Sequence, residues 1–176
     1  MNTYIALFRG INVGGKNVLP MKDLAGILEG MGFTNIQTYI QSGNVIFQSP
    51  GRRTETMTRD IASSIAGSHG FTPKVLLLER SELADIIENC PFKEAEGKAL
   101  HFFFLESKPV NADLEGLNAV KLESEHFMLF EKTFYLHAPD GMGRSRLAAK
   151  VERCMGVPVT ARNWNTVSKL MLKVEQ

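Results

Sequence analysis

Cysteine, tryptophan and any surplus of charge are what this sequence has least of. Its 176 residues include two cysteines, Cys90 and Cys154, in neither a CxxC nor a metal-like spacing. That excludes a disulfide framework and fits a reducing compartment. Each cysteine reads first as a small buried hydrophobe. Twenty basic against nineteen acidic residues leave a net charge of +1. The bulk field therefore draws no polyanion, and nucleic-acid binding would need local clustering. No apolar run approaches membrane-spanning length, and Met1 to Phe8 has neither the basic region nor the apolar core of a signal peptide. A cytoplasmic protein with no membrane partner is expected. Hydrophobic content of 44% and charged content of 22% are ordinary for a globular chain. The length suits one good domain or two small ones.

What is present begins with Tyr4-Ile5-Ala6-Leu7-Phe8, a short apolar run that reads as a strand. Pro20 suits a helix's first turn, Leu24, Ile27, Leu28 and Met31 recur at helical spacing, and Gly32 ends the helix. Ile36–Ile40 and Val45–Phe47 read as a hairpin around Gln41-Ser42-Gly43-Asn44. A helix over about Thr54–Ser68 and a strand over Pro73–Leu78 complete β-α-β-β-α-β, the ferredoxin-like order. It predicts an antiparallel sheet with its helices on one face. Ser81 is expected to cap a short helix, and Glu94–Lys98 reads as a polar linker. The pattern then starts again. Strands are expected at Leu100–Leu105 and Val120–Leu122, then a hairpin of Phe127–Phe130 and Thr133–His137. A strand at Val157–Thr160 follows. Helices are expected at Asn111–Leu117, Ser145–Met155 and Trp164–Lys173. The expected organisation is α+β in two subdomains: 1–80, ferredoxin-like; 81–98, helix and linker; 99–176, a smaller decorated α+β unit.

The stretch most suited to a ligand is Arg9-Gly10-Ile11-Asn12-Val13-Gly14-Gly15-Lys16-Asn17. Its glycines permit positive φ and close approach, and Arg9, Asn12, Lys16 and Asn17 bring donors and charge. Gly10, Gly15 and Lys16 match the G-x-x-x-x-G-K spacing of a phosphate-binding P-loop. However, Asn17 stands where that motif needs Ser or Thr, and Val18-Leu19-Pro20 delays the helix. Val75–Leu78 with Glu79 could imitate the acidic strand of such enzymes, but the strand order is wrong for their parallel sheet. A non-catalytic loop for an anion or polar ligand fits better, beside the plain alternative of a packing loop. Gln41–Asn44 is turn chemistry, and in this topology we expect it at the sheet end opposite the carboxyl end of the first strand.

Two later loops carry similar chemistry. In Asp140-Gly141-Met142-Gly143-Arg144-Ser145-Arg146, Ser145 can cap a helix whose free N–H groups, with Arg144 and Arg146, could hold an anion. Arginines in a first turn oppose the helix dipole unless something negative sits nearby. In Thr160-Ala161-Arg162-Asn163-Trp164-Asn165-Thr166, Asn163 can cap the last helix. Trp164 is a core anchor or a stacking platform. His69, His101, His126 and His137 show no metal spacing. Glu123 and Glu125 read as solvated charges.

The loop Arg9–Asn17, then Pro20-Met21, Thr38–Val45, Gly143-Arg144-Ser145 and Ala161–Thr166 together resemble the bacterial family known as domain of unknown function 1697. The resemblance covers nearly the whole chain. It implies an α+β fold of two subdomains, at least one ferredoxin-like, and brings no activity, cofactor or catalytic residue. Two departures stand out: Ser145-Arg146 where members commonly have Ser-Lys, and Cys90 within a segment that usually reads Asn-Pro-Phe.

Three functions follow from these residues. The favoured one is a small anionic, phosphorylated or nucleotide-like molecule bound by Arg9, Gly10, Asn12, Gly14, Gly15, Lys16, Asn17, Arg144, Ser145, Arg162, Asn163 and Asn165. Arginines there would clamp phosphate or carboxylate. The second is a nucleic-acid module stacking bases on Tyr4, Phe8 and Phe47. The third is an interaction protein pairing through a sheet edge or the aromatic strand His101–Leu105. No cofactor or metal is implied, and enzymatic activity and oligomeric state are left open.

Overall fold

Tyr4, Ala6 and Phe8 alternate with Ile5 and Leu7, and all five are buried. A strand carrying apolar residues on both faces has to lie inside a sheet with both faces covered. The computed structural model, which describes residues 1–176, places β1 (Asn2–Arg9) accordingly. It lies between β3 (Asn44–Ser49) and β4 (Lys74–Glu79), with β2 (Thr34–Tyr39) outside β3. The order β2-β3-β1-β4, antiparallel throughout, is the expected ferredoxin-like sheet. Helices α1 (Met21–Gly30) and α2 (Glu55–His69) bring Leu24, Leu28, Ile61 and Ile65 onto a core shared with Tyr4, Phe8 and Phe47. Thr54 Oγ1 accepts from Met57 N (3.3 Å) to start α2, and Gly70 ends it in the left-handed conformation.

The second sheet repeats the first. Its strands are β5 (Leu100–Leu105), β6 (His126–Phe130), β7 (Thr133–His137) and β8 (Val159–Asn163). Their order, β6-β7-β5-β8, is again antiparallel throughout. The helices α4 (Leu114–Asn118) and α5 (Arg146–Met155) occupy the places of α1 and α2. Phe103, Phe134, Leu147 and Val151 head its core. The expected decorated echo is thus a second complete β-α-β-β-α-β. In each half a further helix follows the last strand: α3 (Arg80–Glu88) and α6 (Trp164–Val174).

Several local expectations are corrected. Residues 120–122 form no strand but lead into the turn at Glu123-Ser124, which Glu125 closes: its Oε2 accepts from Leu122 N at 2.9 Å. Glu125 is accordingly buried rather than solvated, 1% exposed. Ser81 does not cap α3, which starts one residue earlier while Glu82 Oε2 accepts from Glu79 N (2.7 Å). The helix expected from Asn111 begins at Leu114, capped by Asp113 Oδ1 bonding Gly116 N.

The chain forms two compact units, Met1–Ala84 with Leu170–Gln176, and Asp85–Lys169. The segment Glu94–Lys98 therefore lies inside the second unit rather than between two. Its turns are stitched in by Ala99 N to Glu96 O (2.9 Å) and His101 Nε2 to Lys98 O (3.1 Å). Tyr135 Oη donates to Ile86 O (2.7 Å), tying the end of α3 into the same unit. No helix is long and apolar enough to cross a membrane.

Candidate functional site

The loop after β1 is a small hairpin, not a P-loop. Lys16 N donates to Val13 O and Asn12 N to Asn17 O, each at 3.0 Å. Gly14 and Gly15, at φ 57 and 73, form its tip, the two-residue pattern of a type I′ turn. Lys16 thus sits on a hairpin arm. Helix α1 starts only at Met21, after Pro20, without a side-chain cap. No helix N-terminus lies beneath the lysine, as a P-loop requires.

The asparagines build this loop rather than offer donors to a ligand. Asn12 Nδ2 donates to Leu19 O and to Gln41 O, both at 2.9 Å, while its Oδ1 accepts from Leu19 N (2.8 Å). Asn17 Nδ2 donates to Gly10 O at 2.8 Å. Both asparagines sit at positive φ, a conformation their side chains tolerate.

The contact with Gln41 corrects the expectation that the Gln41–Asn44 turn lies at the far end of the sheet. In a β-α-β-β-α-β unit β1 and β2 run parallel, so the turn leaving β2 meets the loop leaving β1. Phe8 N donates to Gly43 O (2.8 Å). Gly43, at φ 83, lies so close that a Cβ there would come within 2.5 Å of Ile11 Cδ1 and 2.7 Å of Phe8 Cβ. The two bends are one locked assembly. In the same turn Ile40 is 49% exposed and has φ 51, a strained conformation for a β-branched residue.

The charge at this end is one-sided. Arg9 lies directly across from Lys74 in the β1–β4 register, which sets two like charges side by side. Lys16 is exposed and its side chain has no partner in the chain. Lys22 opens α1. The acid in the first turn of α1, Asp23, is engaged by His69 Nε2 at 3.3 Å. Lys74 and Gln41 were missed from sequence because only the strand register and the parallel run of β1 and β2 bring them here.

The second unit holds the remaining predicted residues, and most have structural work. Ser145 is buried, and its Oγ accepts from Ala148 N (2.9 Å) at the start of α5. Arg144 precedes that cap, in a 3₁₀ turn over Met142–Arg144. It is therefore not in the first turn where we expected it to oppose the dipole. Asn163 Oδ1 accepts from Thr166 N (2.9 Å), capping α6. The Asn165 carboxamide packs where a Cβ on Gly97 would be. Arg162 sits on β8, its Nη1 donating to Ala161 O (2.9 Å), and burial pulls its pKa down to about 10. Trp164 stacks on Phe102 at 5.8 Å, the anchoring role. An open groove of 1090 Å³ in this unit carries Lys93 and Lys98 against Glu88, Glu94, Glu96 and Asp140, an unfavourable balance for an anion.

Two other expectations lose their footing. Tyr4, Phe8 and Phe47 are buried beneath helices, so the first sheet presents no such platform for bases. The aromatic strand Leu100–Leu105 is central, paired on both sides, so it is no edge. No group of three His, Cys, Asp or Glu side chains gathers as a metal site would require.

These features define a protein of two tandem ferredoxin-like units, with two hydrogen-bonded bends, one carrying Lys16, at one end of the first sheet. The chain belongs to the family described as protein of unknown function (DUF1697), whose profile matches residues 1–135. The Gly143–Ser145 and Ala161–Thr166 motifs lie beyond that match. Its fold is similar to that of the conserved bacterial protein SP0830 from Streptococcus pneumoniae. That likeness has a TM-score of 0.70 at 23% identity and covers 97% of each chain. No curated protein matches the chain. Neither comparison indicates a specific function.

Proposed function

We propose that the end of the first sheet formed by residues 9–18 and 40–43 binds a small anionic, phosphorylated or nucleotide-like molecule. Arg9, Lys16 and Lys74 supply charge, and the Gly10, Gly14 and Gly15 backbone allows close approach. The observation that carries this reading is an internal comparison between the two units. In each, a lysine lies in the connection between the first strand and the first helix. In the second unit that lysine, Lys108, meets Glu131 from the neighbouring hairpin turn at 2.9 Å. In the first unit the corresponding turn is Gln41-Ser42-Gly43, with no acid to meet Lys16. The fold is the same, and one of the two lysines is left for an external anion. The strain at Ile40 supports the same end, since such backbone outliers, costing on the order of 1–3 kcal/mol, collect at functional sites.

Titration with inorganic phosphate, pyrophosphate and adenosine monophosphate, followed by amide chemical shifts of Gly14–Asn17, tests this. Lys16→Ala should weaken binding by roughly 10- to 100-fold, the worth of one charged hydrogen bond. Lys108→Ala should leave it unchanged, and added salt should weaken it. Equal binding by Lys16→Ala, Lys74→Ala and the parent protein would overturn the reading.

A further inference from the structure

Each sheet has two edges, and three of these four edges are blocked. On β2 the ladder breaks between Thr34 and Gln37, and Asn35, at φ 50, bonds Gln48 through its side chain at 2.6 Å. On β4 the Leu77 carbonyl accepts from Arg53 Nη1 (2.9 Å). On β8 the Val159 N–H donates to Glu152 Oε2 and the Ala161 carbonyl accepts from Arg162 Nη1, both at 2.9 Å. The fourth edge, β6, is His126-Phe127-Met128-Leu129-Phe130. It has no charge, proline or bulge, and five unbroken pairs with β7. Bare apolar edges of this kind are what folded proteins ordinarily guard.

The geometry of that edge suits one occupant. The two-residue turn Glu131-Lys132 makes Phe130 and Thr133 a hydrogen-bonded closing pair. The backbone groups of His126, Met128 and Phe130 therefore face β7, and those of Phe127 and Leu129 face outward. Nothing else in the chain bonds them. We propose that β6 pairs antiparallel with β6 of a second copy across a two-fold axis at Met128, joining two second-unit sheets into one.

In that register Phe127 and Leu129 exchange both backbone hydrogen bonds with Leu129 and Phe127 of the second copy, and Met128 meets itself. A two-fold contact of this sort is self-complementary by symmetry. Charge agrees with it. Beyond the strand, the register sets Lys132 of each copy opposite Ser124 of the other, one residue from Glu123. Glu125 is turned inward and Glu131 is held by Lys108 at 2.9 Å, so no free like charges oppose. Leu122 and Phe130, 39% and 43% exposed, flank the strand as the apolar rim. This inference is independent of the anion site in the first unit.

Sedimentation velocity over a range of concentrations tests it. The parent protein should shift from monomer to dimer as concentration rises. Met128→Lys and Met128→Glu should each stay monomeric, because like charges then meet across the axis, and an equimolar mixture should recover the dimer. A parent protein that is monomeric throughout, or a single-charge variant that still dimerises, overturns the proposal. Should Met128→Lys lose its far-ultraviolet circular dichroism, hydrogen exchange of the parent protein decides. The Phe127 and Leu129 amides should be protected more at high concentration than at low. Equal exchange overturns the proposal.

Discussion

Replacing Gly43 by Ala separates two reasons for a glycine and asks whether the two bends are mechanically one. At φ 83 any L-residue carries a backbone cost of about 1–3 kcal/mol. The added methyl would also overlap Ile11 Cδ1 at 2.5 Å and Phe8 Cβ at 2.7 Å. Phe8 Cβ belongs to the buried strand β1 and cannot swing away, so overpacking adds about 1–3 kcal/mol. Together the loss is roughly 2–6 kcal/mol, or about 4–24 °C in melting temperature for a chain of this size. Gly10, at φ 82, has nothing within 4 Å of its virtual Cβ. Gly10→Ala therefore isolates the backbone cost alone. Thermal denaturation of the two variants side by side measures the difference. The overlap argument fails if Gly43→Ala melts no lower than Gly10→Ala. If it does melt lower, amide shifts of Val13–Asn17 should move in Gly43→Ala, because the Gly43 carbonyl holds Phe8 N at 2.8 Å beneath that loop.

The same end yields further expectations. Asn12→Ala removes three hydrogen bonds and leaves the buried residue Leu19 with an unpaired N–H, a loss of roughly 2–4 kcal/mol in denaturant titration. Ile40→Asn keeps the turn but relieves its strain, because asparagine tolerates positive φ. It should stabilise by about 1 kcal/mol, and a loss of stability would show that φ 51 costs isoleucine nothing here. Lys16→Ala should change stability by less than about 0.5 kcal/mol, as an exposed side chain without a partner, so its effect on ligand binding can be read directly. His101 titrates below its usual 6.5 because burial disfavours the imidazolium, despite the Lys98 carbonyl. Well above that pH neither folded nor unfolded chain binds the proton. As pH falls through 6.5 the unfolded chain takes it up first, so stability declines on the acid side. The melting temperature of the parent protein should fall more steeply with acidification than that of His101→Gln, and parallel curves would contradict this.

The sequence was most legible where a single period or a single residue decides the outcome. Leu100–Leu105 and Thr133–His137 were located without error, and Gly70 and Gly156 mark helix ends because a left-handed cap needs no tertiary help. Ser145 and Asn163 were correctly read as helix caps, which is also why they offer a ligand little: their oxygens accept from Ala148 and Thr166. The failures share one cause. Glu125 looks like any surface glutamate until its carboxylate closes the turn at Leu122. Tyr4, Phe8 and Phe47 share a face whichever side the helices take, and only the packing of α1 and α2 decides that this face is dry.

Local sequence alone determined the βαββαβ order, the donor-rich character of the Arg9–Asn17 loop and the positions of most helix ends. These depend on side-chain periodicity and on backbone conformations that one residue can dictate. Tertiary structure alone decided that Gln41–Gly43 clasps that loop, that Lys74 faces Arg9, that Lys108 has an acid while Lys16 has none, and that β6 is the unguarded edge. Each of these is a relation between segments distant in sequence. Such relations are set by strand direction and register, which no single stretch of the chain encodes.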